Sequence, residues 1–290
     1  MSTAKIEFAV EMSCGKCEEK VRGCLSALEG VKVSQVSLEK QSVVVETNQP
    51  STIVLDCIRA TGLRAVMKGY GGDVGIVPGP QVAAVAMLGG ETGCGLGPVK
   101  GVVRFLQTEQ DRCLIDGTID GLEPGHHGLH IHELGDLSGG CDTIGPHLNL
   151  RGTRHGGPHE DEDNRHTSLC YSTHHRHTTH ITVTAHVTLL QHTGDLGNIK
   201  ADVNGRAVFR FEDKLVKVGD IIGRSVAVNQ GPDDPASREG DEQRIACGII
   251  ARSAGMFENS KRICACDGVE LWDEKDRPLT GPSRRNTGHL

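Results

Sequence analysis

The sequence predicts a multidomain chain: a ferredoxin-like α+β domain, an all-β sandwich or barrel, and a mostly disordered polar tail. Three observations predict it. Residues 1–70 carry apolar patterns in the order βαββαβ. Residues 81–253 carry short valine-rich runs cut by Gly-, Pro- and Asp-rich turns. Residues 254–290 hold few core-forming side chains and end in PLTGPSRRNTGHL.

In the first unit, Ile6, Phe8 and Val10 alternate as in a half-buried strand. Cys17 to Leu28 reads as a helix, with Val21, Cys24, Leu25 and Leu28 on one face and Gly30 beyond its end. Val31, Val33 and Val36 mark one strand, and Val43, Val44 and Val45 another. Ile53, Leu55, Ile58 and Arg59 sit in a second helix that Gly62 ends, and Leu63 to Met67 reads as the last strand. Residues 71–80 are rich in Gly and Pro and form the linker. In the second unit the apolar runs are Val82–Leu88, Val99–Leu106, Cys113–Ile119, Ala207–Phe211, Ile221–Val228 and Ile245–Ala251.

A chain of 290 residues suggests two domains. Its formal charge of −7 argues against nucleic acid or an anionic membrane surface as partner. No stretch approaches the roughly 20 apolar residues of a membrane span, and MSTAKIEFAVEMSCGKC lacks the apolar core of a signal peptide. Eleven cysteines without an export signal point to a reducing compartment and to metal or redox chemistry rather than a disulfide scaffold.

Cys14 and Cys17, in MSCGKC, fall at a strand-to-helix junction. A helix N-terminus favours thiolate. Two soft thiolates suit Cu(I), whereas zinc normally takes four ligands. Lys16 and Lys20 are near enough to offset the charge of a bis-thiolate copper centre. A thioredoxin-like redox pair has the same CxxC. The position after the first strand of βαββαβ, with Met12 two places before Cys14, favours metal transfer and resembles the MxCxxC of heavy-metal-associated domains.

The middle segment carries HHGLHIHELGD (126–136), CDTIGPHLNL (141–150), RHGGP (154–158) and HTGDLGNIKADVNGRAVF (192–209). His130 and His132 alternate on a strand and so share a face. Four His-bearing phrases resemble the copper/zinc superoxide dismutases, whose fold is a Greek-key barrel. By that resemblance His130 and His132 match copper ligands and His147 the bridging ligand. His155, Asp195 and either His166 or His192 complete the zinc set with His147. Cys141 and Cys247 match the intrasubunit disulfide, Arg244 the active-site arginine, and Asp233 the carboxylate that tethers metal-bound histidines. One position departs. Asn229, in VAVNQGPDD, stands where the family has its fourth copper histidine, and an amide is a poor copper ligand. The stretch between Asp234 and Arg244 is also shorter than the family's charged loop. A docking barrel braced by zinc is therefore expected rather than an active enzyme.

Cys264 and Cys266, in RICACDG, can chelate one soft ion or close a strained, readily exchanged disulfide. The order MxCxxC, dismutase-like barrel, CxC resembles the copper chaperones for superoxide dismutase. That resemblance implies a heterodimer with copper/zinc superoxide dismutase through the barrel, a homodimer as an alternative assembly, Cu(I) and Zn2+ as metals, and oxidation of a client thiol pair to its disulfide. It also implies the cytoplasm, with some protein in the mitochondrial intermembrane space. The alternative is an active dismutase with an accessory metal domain. Residues 167–192 interrupt the pattern: joining Arg165 to His192 restores NRHTGDLGN. The segment reads either as an auxiliary His-rich metal loop or as an insertion without a role.

Overall fold

The computed structural model describes residues 3–71, 82–89, 94–95, 98–152, 192–233 and 242–258. Nearly all of the linker, His155, His166, the insertion as far as residue 191, and Cys264 and Cys266 lie outside the described residues.

The first domain runs β1 (Ala4–Val10), α1 (Gly15–Ser26), β2 (Val31–Ser37), β3 (Ser42–Thr47), α2 (Ser51–Ala60) and β4 (Ala65–Gly71). Its antiparallel sheet has the order β2-β3-β1-β4. Ile6, Phe8 and Val10 join Val21 and Leu25 of α1 and Val54 and Ile58 of α2 in one buried core. Two elements differ from the sequence expectation in their bounds. Helix α1 begins at Gly15 because Cys14 already takes the N-cap, and it ends at Ser26. There the N–H groups of Ala27 and Leu28 donate to the carbonyls of Cys24 and Leu25, i−3 bonds that tighten and close the last turn. Gly30, at φ 75°, then reverses the chain. Strand β4 runs on to Gly71, since its pairing with β1 extends to Lys5.

The second domain consists of β5 (Ala83–Gly89), β6 (Cys94–Gly95), β7 (Lys100–Glu109), β8 (Arg112–Asp120), β9 (Gly125–His132), a 3-10 turn (Gly140–Asp142), β10 (Asp195–Ala201), β11 (Ala207–Asp213), α3 (Val218–Ile221), β12 (Ser225–Asn229) and β13 (Arg244–Ser253). The strands are hydrogen-bonded in the order β12-β9-β10-β11-β8-β7-β5-β13, and β13 pairs back onto β12, which closes an eight-stranded antiparallel barrel. The chain passes from β8 to β9 over β11 and β10, a Greek-key crossing. The run expected over 221–228 is broken: α3 ends it on one side of Gly223 (φ 83°), and β12 begins after it. Phe105, Ile115, Leu129, Ile131 and Val226 lie at the centre of the barrel core.

The two domains share buried contacts. Ala83, Leu106 and Leu114 of the barrel belong to the core of the first domain. Asp116 of β8 accepts from the Ser51 N–H (2.9 Å) and Oγ (3.0 Å), which begin α2. Tyr70 Oη donates to the same carboxylate at 3.2 Å, and Arg210 of β11 pairs with it at 3.6 Å. Arg210 also donates to the carbonyls of Thr47 and Gln49. Residues 254–258, expected in the polar tail, pack on the first domain. The Tyr70 N–H donates to the Ala254 carbonyl and the Phe257 N–H to Glu7.

Candidate metal centres

Cys14 and Cys17 bracket the start of α1. The carbonyl of Cys14 accepts from the N–H of Cys17 at 2.9 Å, so the first helical turn folds both thiols to one side. Their sulfurs are 3.8 Å apart and accessible. That separation can be spanned by one ion through two metal–thiolate bonds of roughly 2.3 Å each. Hydrogen bonds from the backbone and hydroxyl of Ser13, then from Cys14, lower the Cys17 thiol to about 7, with Ser13 Oγ 3.6 Å from Cys17 Sγ. Met12 is not a ligand: it is buried in the domain core. The Gln41 amide clamps the Met12 backbone, accepting from its N–H at 2.8 Å and donating to its carbonyl. Nothing in the sequence pattern singles out Gln41. Lys16 and Lys20 are exposed on α1.

In the barrel, β9 lies between β12 and β10, and the alternation of that strand sends the His130 and His132 rings to one side. An isolated bridge between His132 and His147 brings the following loop onto them. Gly194 makes the return of the chain possible: a Cβ there would lie 2.2 Å from the Ile131 carbonyl oxygen.

His147 is the centre of two adjoining sites. On one side its Nδ1 is 2.9 Å from Asp195 Oδ1, and the His192 N–H donates to the other Asp195 oxygen at 3.0 Å. His147, His192 and Asp195 are all buried, and their ligand atoms lie within 4.8 Å of one another. Nitrogen and carboxylate donors of this kind suit zinc. Of the two candidates for this position, His192 lies beside His147 and Asp195, and His166 is outside the described residues. On the other side His147 Nε2 is 3.5 Å from Glu242 Oε2. Burial disfavours the charged imidazole, but hydrogen bonds to Asp195 and Glu242 outweigh it and raise His147 to about 9.

The remaining histidines are oriented by specific partners. His130 Nε2 is 3.3 Å from Asp233 Oδ1, and its Nδ1 receives the Asn229 amide at 3.2 Å. His132 Nδ1 donates to the Gly145 carbonyl at 3.0 Å, and burial, with His147 nearby, lowers its pKa to about 2. Asp233 is itself placed by Asn198, whose Oδ1 accepts from the Asp233 N–H at 2.7 Å. Arg244 donates to the Cys141 carbonyl at 3.0 Å and to the Gly145 carbonyl at 2.9 Å. It thereby ties the loop that carries the Cys141–Cys247 disulfide to the residue that orients His132. Asn198, Glu242 and a second cystine, Cys24–Cys57, between α1 and α2, escaped the sequence reading as Gln41 did. Cys24 was legible only as a helix-face residue.

Comparison with known proteins agrees with this division. Residues 7–71 match the heavy-metal-associated domain family, and residues 99–250 match the copper/zinc superoxide dismutase family. The chain is 45% identical over 288 residues to the copper chaperone for superoxide dismutase of Sus scrofa, covering 97% of this chain and 92% of the relative. It is 45% identical over 290 residues to that of Homo sapiens, covering 97% and 93%. A chloroplastic/cytosolic copper chaperone for superoxide dismutase from Arabidopsis thaliana is 31% identical over 269 residues, covering 92% and 69%.

Proposed function

The chain belongs to the copper chaperones for superoxide dismutase, and on that premise we propose how it works. It carries Cu(I) on Cys14 and Cys17, docks on a copper/zinc superoxide dismutase subunit through its barrel, and passes the ion on through Cys264 and Cys266. The observation that carries this reading is the accessible sulfur pair at the start of α1, 3.8 Å apart, one thiol of which ionises near neutral pH. The relatives are named as chaperones, not enzymes, and a dismutase reading is not favoured, because an amide meets His130 where a fourth imidazole would be needed.

Docking is supported by apolar side chains exposed on adjoining segments of the barrel: Met87 on β5, Ile249 on β13, Ile222 before β12, and Leu134 in the loop after β9. The same surface would serve a homodimer. Zinc would be held by His147, His192 and Asp195, with His155 as the fourth ligand. It would supply a rigid cross-link between the loops and no redox step. The tail pair would also oxidise the client. A Cys264–Cys266 disulfide, formed beforehand by molecular oxygen, exchanges with two client thiols. The client loses two electrons and two protons, and the tail pair gains them. A reducing cytoplasm, with a share in the mitochondrial intermembrane space, is the setting in which Cys14 and Cys17 stay unpaired. No helix among the described residues is long and apolar enough to cross a membrane.

The experiment separates docking from transfer. Replacing Cys264 and Cys266 with Ser should leave co-elution with the dismutase intact and abolish activation. Normal activation by that variant would refute the role given to the tail.

A further inference from the structure

We propose that Glu242 converts the position where dismutases hold copper into a second zinc site, adjoining the first and sharing His147 with it. The donors are His130 Nδ1, His147 Nε2 and the Glu242 carboxylate, whose ligand atoms lie within 4.8 Å of one another. Glu242 Oε2 is 3.5 Å from His147 Nε2 and 3.9 Å from His130 Nδ1. Four donors around zinc at roughly 2.0–2.1 Å stand about 3.3 Å from one another. The two Glu242 separations exceed that spacing by about 0.2 and 0.6 Å.

His132 stands beside this set, its ring centroid 5.0 Å from that of His147, and is placed to add a further nitrogen. Its ring is completely buried, and its Nδ1 hydrogen is committed to the Gly145 carbonyl. That bond fixes the tautomer and leaves the Nε2 lone pair for a metal. Nε2 has no hydrogen-bond partner. A nitrogen shut away from water without a partner costs free energy unless something fills the place. His130 Nδ1 accepts from the Asn229 amide at 3.2 Å, which keeps its lone pair facing the site, while Asp233 Oδ1 lies 3.3 Å from Nε2.

Asn229 takes a new part in this arrangement. Its side-chain amide donates to Glu242 Oε2 and also meets His130 Nδ1. Asn229 thus draws the carboxylate in from the loop preceding β13. When an ion binds, the amide leaves His130 and keeps Glu242. The fourth imidazole of a dismutase is replaced by a carboxylate that Asn229 positions.

The consequence is selectivity. Two imidazoles and a carboxylate, with the His132 imidazole alongside, suit a borderline divalent ion, whereas Cu(I) prefers sulfur. The barrel then takes zinc and leaves Cu(I) on the thiols. The inference rests on the barrel residues alone and holds whether or not the delivery reading does.

The test counts zinc on the full-length protein in a zinc-chelator buffer, with Cu(I) loading of the thiols measured on the same samples. Other zinc-binding groups of the chain are common to every variant, so differences isolate the two sites. Glu242→Gln, of nearly the same shape, should lose one zinc per chain. Asp195→Asn should lose a different one, and the double variant two. Affinity at the lost site should fall by more than the roughly 10–100-fold that removing an orienting partner costs. Cobalt substitution should give two d–d signatures in the wild type and one in Glu242→Gln. A Glu242→Gln protein with the full zinc count overturns the proposal. So does one that loses both ions together, which would mean a single centre. Unchanged Cu(I) loading in Glu242→Gln is expected in every case, so a failure here is distinguishable from a failure of the thiol carrier.

Discussion

Asp116→Ala should destabilise the whole protein rather than the barrel alone. Asp116 is buried on β8, yet most of its partners belong to the first domain: Ser51 at the start of α2, through its N–H and Oγ, and Tyr70 on β4. Its charge partner, Arg210, is also buried. Removing the carboxylate uncaps α2, at a cost of about 1 kcal/mol. It also leaves a guanidinium buried without its counter-charge, a loss of about 3–5 kcal/mol where nothing else compensates. Arg210 keeps the carbonyls of Thr47 and Gln49 as acceptors, so the lower end applies and the sum is about 4 kcal/mol. Equilibrium urea unfolding, followed separately in each domain, measures it. The wild type should unfold in one transition, and Asp116→Ala in two, with the first domain melting first. Arg210→Met in the same protein should restore part of the loss, because the stranded charge is then gone. A cost under about 1 kcal/mol, or an Arg210→Met effect that simply adds to it, would refute the reasoning.

Cys17 should be alkylated with a midpoint near pH 7, as mass spectrometry of peptides after timed iodoacetamide exposure will reveal. Because its folded pKa is depressed, the thiolate's contribution to stability is present above the ordinary thiol range and is lost as pH falls through about 7. Ser13→Ala should move that midpoint up, and an unchanged midpoint would rule out the Ser13 hydrogen bonds as its cause. Asn229→His should raise dismutase activity from a negligible level in zinc- and copper-loaded protein, whereas high activity in the unmodified protein would contradict the chaperone assignment. Leu134→Glu should weaken co-elution with the dismutase by at least about tenfold, or ~1.4 kcal/mol, with the melting temperature unchanged; equal binding would move the docking surface elsewhere on the barrel.

What could be read without coordinates is what local chemistry writes into short stretches. The Ile6, Phe8, Val10 alternation names β1 because one face of a strand must be buried. Cys14 and Cys17 announce a helix start, and the structure adds only that Cys14 is itself the cap, which shifts α1 two residues toward the N-terminus. His130 and His132 share a face by period alone. Strands β9 and β10 were harder to see as elements, since HHGLHIH and DLGNIKA interleave buried polar donors with apolar residues and so lack a clean apolar run. The residues that escaped act across the chain. Glu242 sits in a polar loop with no spacing relation to His130 or His147, and only barrel closure through β12 and β13 brings it to them. Gln41 reaches Met12 from a turn in the left-handed region. The Asp116–Arg210 pair reads locally as two surface charges on strands, and it is buried because another domain covers it.

The central claim is that this chain carries Cu(I) on its thiols and gives it to a superoxide dismutase. The direct measurement mixes copper-loaded protein with reduced, zinc-loaded, copper-free dismutase in the presence of a Cu(I) chelator that outcompetes free copper. Client activity and disulfide state are followed together in air. Both should rise with added chaperone, and client activity should stay flat when Cys14 and Cys17 are replaced by Ser in a chain loaded under the same chelator. Activation that the chelator abolishes, or that proceeds equally with the Cys14→Ser, Cys17→Ser chain, would contradict it.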